Sequence, residues 1–164
     1  TEKANYKLDL KKLCVHEIIK DSININTFKI QKRGGVIKHN LIADISLIQG
    51  NYDHLLNVFN NLLDNSNKYS LDKPIINISS LNIKNFIEIS ISDQGIGIKK
   101  SNIDKIFDKF YREPQGNIHN VKGFGLGLSY VKNILTKHNA SISVESVVNK
   151  GTIFKIRFKK TNDA

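Results

Sequence analysis

Apolar, strand-forming stretches of this chain come in neighbouring pairs. Residues 75–79 are followed, across the polar turn Asn82–Asn85, by Phe86–Ile91. Ala140–Val147 is followed, across Asn149–Gly151, by Thr152–Phe158. Strands joined so tightly pair antiparallel, because a parallel partner needs a crossover of about a dozen residues or more. An alternating βαβ sheet is therefore excluded, and helices must lie between the strand pairs. Apolar residues at Leu10, Leu13, Cys14, Ile18 and Ile25 predict one helix. Thr27–Gln31 alternates and predicts a strand, turned at Gly34-Gly35 into a second strand, Val36–Ile45. Leu55, Phe59, Leu62, Leu63 and Ser66 predict a helix over Tyr52–Tyr69, which Pro74 closes off. A short helix is expected near Ser101–Phe107, and a longer one from Gly123–Gly127 to about His138. The polar stretch 111–122 between them, with Pro114 and Gly116, is expected to be a mobile loop. The expected fold is α+β: a two-layer α/β sandwich with a mixed sheet and helices on one face. Residues 8–160 would form this domain, 1–7 a linker from a preceding helical domain, and 161–164 a tail.

The length of 164 residues suits one domain with a real core. No run approaches the roughly 18 apolar residues of a membrane span. No signal peptide is visible. The single cysteine, Cys14, excludes an internal disulfide. The chain lacks methionine, even at position 1, which reads as a piece of a longer protein. The net charge of +10 suggests nucleic acid or a membrane surface. However, Lys, Ile and Asn make up 67 of the 164 residues, and all three have A/T-rich codons. The lysines are scattered with no block of five or six, so no nucleic-acid partner is expected. His39, His54, His119 and His138 lack zinc-ligand spacing and read as surface or loop residues, and His16 as an ordinary helix residue.

Three segments carry chemistry. Asn61, Asn65 and Lys68 fall at i, i+4 and i+7, a narrow arc opposite the apolar stripe of their helix. Asparagine carbonyls suit Mg²⁺, and a lysine one turn on suits phosphate. A solvated polar stripe is the plain alternative. Asp93-Gln94-Gly95-Ile96-Gly97 follows an apolar strand. Its carboxylate could accept from an amine such as adenine's, although Asp/Gly turns are common. Among the apparent carboxylates, Asp93 alone looks buried at the end of that strand. Gly123-Phe124-Gly125-Leu126-Gly127-Leu128 precedes a helix and would offer backbone N–H groups to an anion. It is not a P-loop, because the G-x-x-x-x-G-K-[ST] pattern is absent.

The order of Asn61–Ser70, Asp93–Gly97, Ile106–Arg112 and Gly123–Ser129 resembles the catalytic ATP-binding domain of bacterial sensor histidine kinases. The segments correspond to that family's N box, first glycine box, F box and second glycine box. The resemblance runs from about Leu8 to Phe158 and implies the Bergerat α/β sandwich. It implies Asn65 as the Mg²⁺ ligand of bound ATP, Asn61 beside the ion or phosphates, and Lys68 on phosphate. Tyr69 would pack on adenine and Asp93 accept from its amine, with Gly95, Gly97, Ile98 and Thr152 shaping the pocket. Phe107, Phe110, Tyr111 and Arg112 would border the ATP lid. Lys122, Gly123, Phe124, Gly125, Leu126, Gly127 and Leu128 would form its far hinge.

The resemblance further implies phosphorylation of a histidine on an upstream dimerisation domain that this chain lacks. Partners would be that domain, a response regulator and a second copy in the full-length protein. The domain would be cytoplasmic and the full-length protein anchored in the bacterial inner membrane. Departures are Ser66 in place of a small alanine and Phe124 in place of Thr or Ser. Related ATPases carry a water-activating Glu where this chain has Asn61, which favours a kinase over a hydrolase. A non-catalytic nucleotide sensor and a serine-directed kinase of the same superfamily are the rival readings.

Overall fold

The computed structural model describes residues 7–111 and 127–162. In chain order its elements are β1 (Lys11–Cys14), α1 (Val15–Lys32), β2 (Val36–Leu41), β3 (Leu47–Gly50), α2 (Tyr52–Lys68), β4 (Ile75–Ile83) and β5 (Phe86–Asp93). A 3-10 helix (Lys100–Lys105) follows, then α3 (Gly127–Lys137), β6 (Ser141–Val147) and β7 (Gly151–Lys159). Five strands form one sheet in the order β2-β4-β5-β7-β6. β2 runs parallel to β4, and the other pairings are antiparallel. β1 and β3 form a separate antiparallel pair.

The three helices pack on the inner face of the sheet, with α2 between α1 and α3. The core is aliphatic. Leu55, Val58, Phe59, Leu62 and Leu63 of α2 meet Ile76 and Ile78 of β4, Ile87, Ile89 and Ile91 of β5, and Phe154, Ile156 and Phe158 of β7. The expected two-layer sandwich with a mixed sheet is therefore present.

The N-terminal third differs from the sequence reading. Residues 11–14 form a strand and not the first turn of a helix, because they pair with Leu47–Gly50. Thr27–Gln31 belongs to α1 and not to a strand. The buried stripe of α1 is Val15, Ile18, Ile19, Ser22, Asn26 and Ile30, a helical period interrupted by two polar residues. Those residues tolerate burial because Asn60 of α2 satisfies them. Ser22 Oγ donates to Asn60 Oδ1 at 2.8 Å, and Asn26 Nδ2 donates to the same oxygen at 2.9 Å and to the Ser22 carbonyl at 2.8 Å. The Gly34-Gly35 pair therefore ends a helix, where it was expected to turn a hairpin, and β2 stops at Leu41.

Two further expectations are corrected. Glu88 on β5 is buried, at 6% exposure, and Arg157 Nε donates to its Oε2 at 2.7 Å. Asp93, at the end of the strand, is only half-buried, so the fully buried carboxylate of β5 is the mid-strand Glu88. His138 is not a surface residue. It is buried at the end of α3, where Nδ1 lies 2.7 Å from the Ile134 carbonyl and Nε2 accepts the Asn51 N–H at 3.0 Å.

Candidate functional site

The site is built along one edge of α2. Asn51 caps the helix by accepting the His54 N–H at 3.1 Å. About two turns at its C-terminal end then touch three separate segments. Asn61 faces Gly127, the first residue of α3. A Cβ at Gly127 would stand 2.9 Å from Asn61 Oδ1, so glycine is what allows this approach. Ser66 lies beside Asp93. Tyr69 accepts the Ile96 N–H on its carbonyl at 3.0 Å, which holds the turn after β5 against the end of α2.

Asp93 Oδ1 accepts the Gly95 N–H at 2.8 Å, tightening that turn. Burial pushes the Asp93 carboxyl above its ordinary pKa. The Gly95 N–H, the Ser66 hydroxyl and the Thr152 N–H each pull it part of the way back. Gly97 has φ +71, and a Cβ there would collide with the Val147 carbonyl. The turn is thereby docked onto the β6–β7 hairpin. The Asn149 N–H reaches the Ile96 carbonyl at 2.7 Å, and Ser146 Oγ accepts the Ile98 N–H at 2.8 Å. Ser146 also contacts Thr152 Oγ1 at 2.9 Å, so Thr152 is buried next to the Asp93 turn.

Asn61 Nδ2 donates to the Asn57 carbonyl at 2.8 Å, which leaves its carbonyl oxygen toward α3. Lys68 Nζ rests on Asp64 Oδ2 at 2.9 Å, and Lys29 Nζ approaches Asp64 Oδ1 at 3.6 Å. Arg33, from the end of α1, donates to the carbonyls of Asn67 and Ser70 and fixes the C-terminus of α2. Beyond Asp93, Phe107 packs on the core with Lys132 Nζ 5.7 Å from its ring centre. Tyr111 and Leu128 pack there too, whereas Phe110 is exposed with φ +64.

The structure thus gathers Asn61, Asn65, Lys68, Tyr69, Asp93, Gly95, Gly97, Ile98, Thr152 and Gly127 around the edge of α2. Arg112, Lys122, Gly123, Phe124, Gly125 and Leu126, with the expected mobile lid, lie outside the described residues. Sequence reasoning missed Asp64, Arg33 and Ser146. The i, i+4 spacing of Asp64 and Lys68 was a legible signal. Arg33 and Ser146 act across long sequence separations and left none.

In this α/β sandwich a deep α2 is flanked by a glycine turn on one side and a glycine helix start on the other. Residues 50–162 match the family model described as histidine kinase-, DNA gyrase B-, and HSP90-like ATPase, and the chain belongs to that family. Among its relatives, sensor protein RprX of Bacteroides fragilis is 44% identical over 151 residues, covering 91% of this chain and 29% of that protein. Sensor protein kinase WalK of Staphylococcus aureus is 39% identical over 102 residues, covering 61% of this chain and 25% of that one. The chain therefore spans under a third of the length of these relatives. The solved mycobacterial sensor histidine kinase MprB superposes with a TM-score of 0.78 at 23% identity, covering 93% of this chain and 98% of that chain. The catalytic domain of histidine kinase ThkA does so with 0.77 at 23% identity, covering 94% and 97%.

Proposed function

We propose that this chain binds Mg-ATP and delivers its γ-phosphate to a histidine on another domain of the same protein, as the catalytic part of a sensor histidine kinase. The observation that carries the reading is the meeting of three segments on α2: Asn61 with Gly127, Ser66 with Asp93, and Tyr69 with the Gly95–Ile96 turn. Asp93 would accept from the adenine amine, and Tyr69 would pack on the ring, with Gly95, Gly97, Ile98 and Thr152 shaping the pocket around it. Asn61, Lys68 and the N-terminus of α3 would hold the phosphates. Lys68 would exchange Asp64 for phosphate oxygens.

The donor set fits a hard cation. Asn65 makes no side-chain hydrogen bond among the described residues, so its carbonyl is free to ligate. A bound Mg²⁺ would neutralise charge on the transferring phosphoryl group. In the transfer, the bond between the γ-phosphorus and the bridging oxygen breaks, a nitrogen–phosphorus bond forms on the acceptor histidine, and ADP leaves. The chain's own contribution is positioning. Asn61 has no basic group with which to activate water, which supports transfer over hydrolysis.

In the longer protein the domain would sit in the cytoplasm of a membrane-anchored homodimer and supply a response regulator. No described helix is long and apolar enough to cross a membrane. The test is incubation of the chain and γ-labelled ATP with the protein's own dimerisation domain. Acid-labile, base-stable label is expected on that domain. Label on His16 of the isolated chain, or fast ATP turnover without transfer, overturns the reading.

A further inference from the structure

The polar arc of α2 extends beyond Asn61 toward the start of the helix. His54 stands seven positions before Asn61. At 100° per residue, His54, Asn61, Asn65 and Lys68 fall within about 60° of one another. Helix α3 lies along this arc and runs back against α2. Its first residue, Gly127, faces Asn61, and just past its far end His138 accepts the Asn51 N–H at 3.0 Å. Between these two points Tyr130, in the first turn of α3, reaches His54. The Tyr130 hydroxyl lies 2.9 Å from His54 Nδ1, and the two ring centres are 6.3 Å apart. The hydroxyl can donate to that nitrogen or accept from it, so the bond has a donor in either tautomer of the ring.

The pair sits where placement matters. The fully buried contacts of α3 come from Val131, Ile134 and Leu135. Apolar packing has no directional preference, so it sets how close α3 lies more firmly than how far the helix is rotated or slid. A hydrogen bond is directional. This one is made three residues after Gly127, within the turn whose N–H groups have no partner inside the helix and point beyond its start. Rotating that turn re-aims those donors. His54 and Tyr130 are only half-buried, so the hydroxyl and the imidazole are not needed to fill the core.

We infer that His54 is a positioning residue: through Tyr130 it sets the first turn of α3, and with it the N–H groups that meet the phosphates of ATP. This rests on the ATP-binding reading above and deepens it.

The test compares ATP, with Mg²⁺, against adenosine, which carries the base and sugar without phosphate, both titrated by calorimetry. Tyr130→Phe keeps the ring and deletes the hydroxyl, and His54→Ala deletes the partner. Each should weaken ATP about 3- to 10-fold, the value of one neutral hydrogen bond, and leave adenosine affinity as in wild type. The double variant should lose no more than either single variant, because the two groups act as one. His54→Asn places an amide where Nδ1 stood and should recover most of the ATP affinity. Thermal unfolding shows at what temperature each variant is folded, and the titrations are made well below it. Unchanged ATP affinity in Tyr130→Phe overturns the inference. Equal losses for ATP and adenosine, or a His54→Asn no better than His54→Ala, also overturn it and assign the pair to the fold. If Asn65→Ala and Asp93→Asn weaken ATP while the His54 and Tyr130 variants do not, the ATP-binding reading stands and this inference alone falls. If wild type binds no ATP, both fall.

Discussion

Replacing Asp93 by asparagine should weaken nucleotide binding and stabilise the empty protein at once. The carboxylate is half-buried at the end of β5, and that desolvation raises its pKa despite three groups that favour its charge. A group whose folded pKa lies above its unfolded value contributes stability below the unfolded pKa and loses it as pH rises through the folded one. At pH 7 the ionised Asp93 is therefore a cost to the empty fold, and Asp93→Asn should raise the unfolding temperature there. The gain should vanish toward pH 3, where the wild-type carboxyl is protonated too. The Gly95 N–H can still reach the amide oxygen, so the turn should survive. Against that gain, the variant loses a charge-assisted hydrogen bond to the adenine amine, worth about 1.5–3 kcal/mol, or roughly 10- to 150-fold in Kd. It should also lose selectivity, because an amide can donate to the six-position oxygen of guanine where a carboxylate repels it. Thermal unfolding across pH and calorimetry with ATP and GTP measure both effects. Unchanged ATP affinity, or a wild type that binds GTP as well as ATP, refutes the assignment. A variant that is less stable at pH 7 refutes the electrostatic reasoning.

Asn65→Ala should reduce ATP affinity about 10-fold or more in Mg²⁺ and little in EDTA, and equal affinity of wild type and variant in Mg²⁺ removes the metal assignment. Burial lowers the pKa of His138, and its Nε2 must stay unprotonated to accept the Asn51 N–H, so protons favour the unfolded chain. The unfolding temperature should hold above pH 6.5 and fall as pH drops below it, with a shallower fall in His138→Gln; burial also lowers the pKa of His16, which acts in the same direction. Gly97→Ala forces a left-handed φ and a collision with the Val147 carbonyl, and should cost at least about 1 kcal/mol in denaturant unfolding. Asp64→Asn frees Lys68 from its ion pair and should tighten ATP binding by up to about fivefold, an effect that shrinks in high salt.

The elements with strong local signals were legible without a structure. The helix over Tyr52–Lys68 had an apolar stripe broken only at its end by Ser66, and the two hairpins had polar turns of a few residues between β-branched runs. The glycine turn after Asp93 and the Asn61, Asn65, Lys68 arc were readable for the same reason: each is a pattern within about ten residues. Where the local pattern was broken, the reading failed. Ser22 and Asn26 sit on the buried face of α1, and only Asn60, 34 or more residues away, makes that burial tolerable. The strand Lys11–Cys14 exists because Leu47–Gly50 pairs with it, and β2 finds its partner in β4 across the whole of α2. The Glu88–Arg157 pair is likewise a matter of register between β5 and β7.

The site divides along the same line. Sequence alone determined which residue types were available, because carbonyls at helical spacing and glycines at a turn are properties of short segments. Tertiary structure decided what they face. Packing of α2 against the sheet brought Ser66 to Asp93, docking of the turn onto the β6–β7 hairpin brought Thr152 beside them, and the start of α3 met Asn61. Those contacts join residues separated by 27 to 66 positions, and their geometry depends on helix rotation and strand register, which no local pattern encodes.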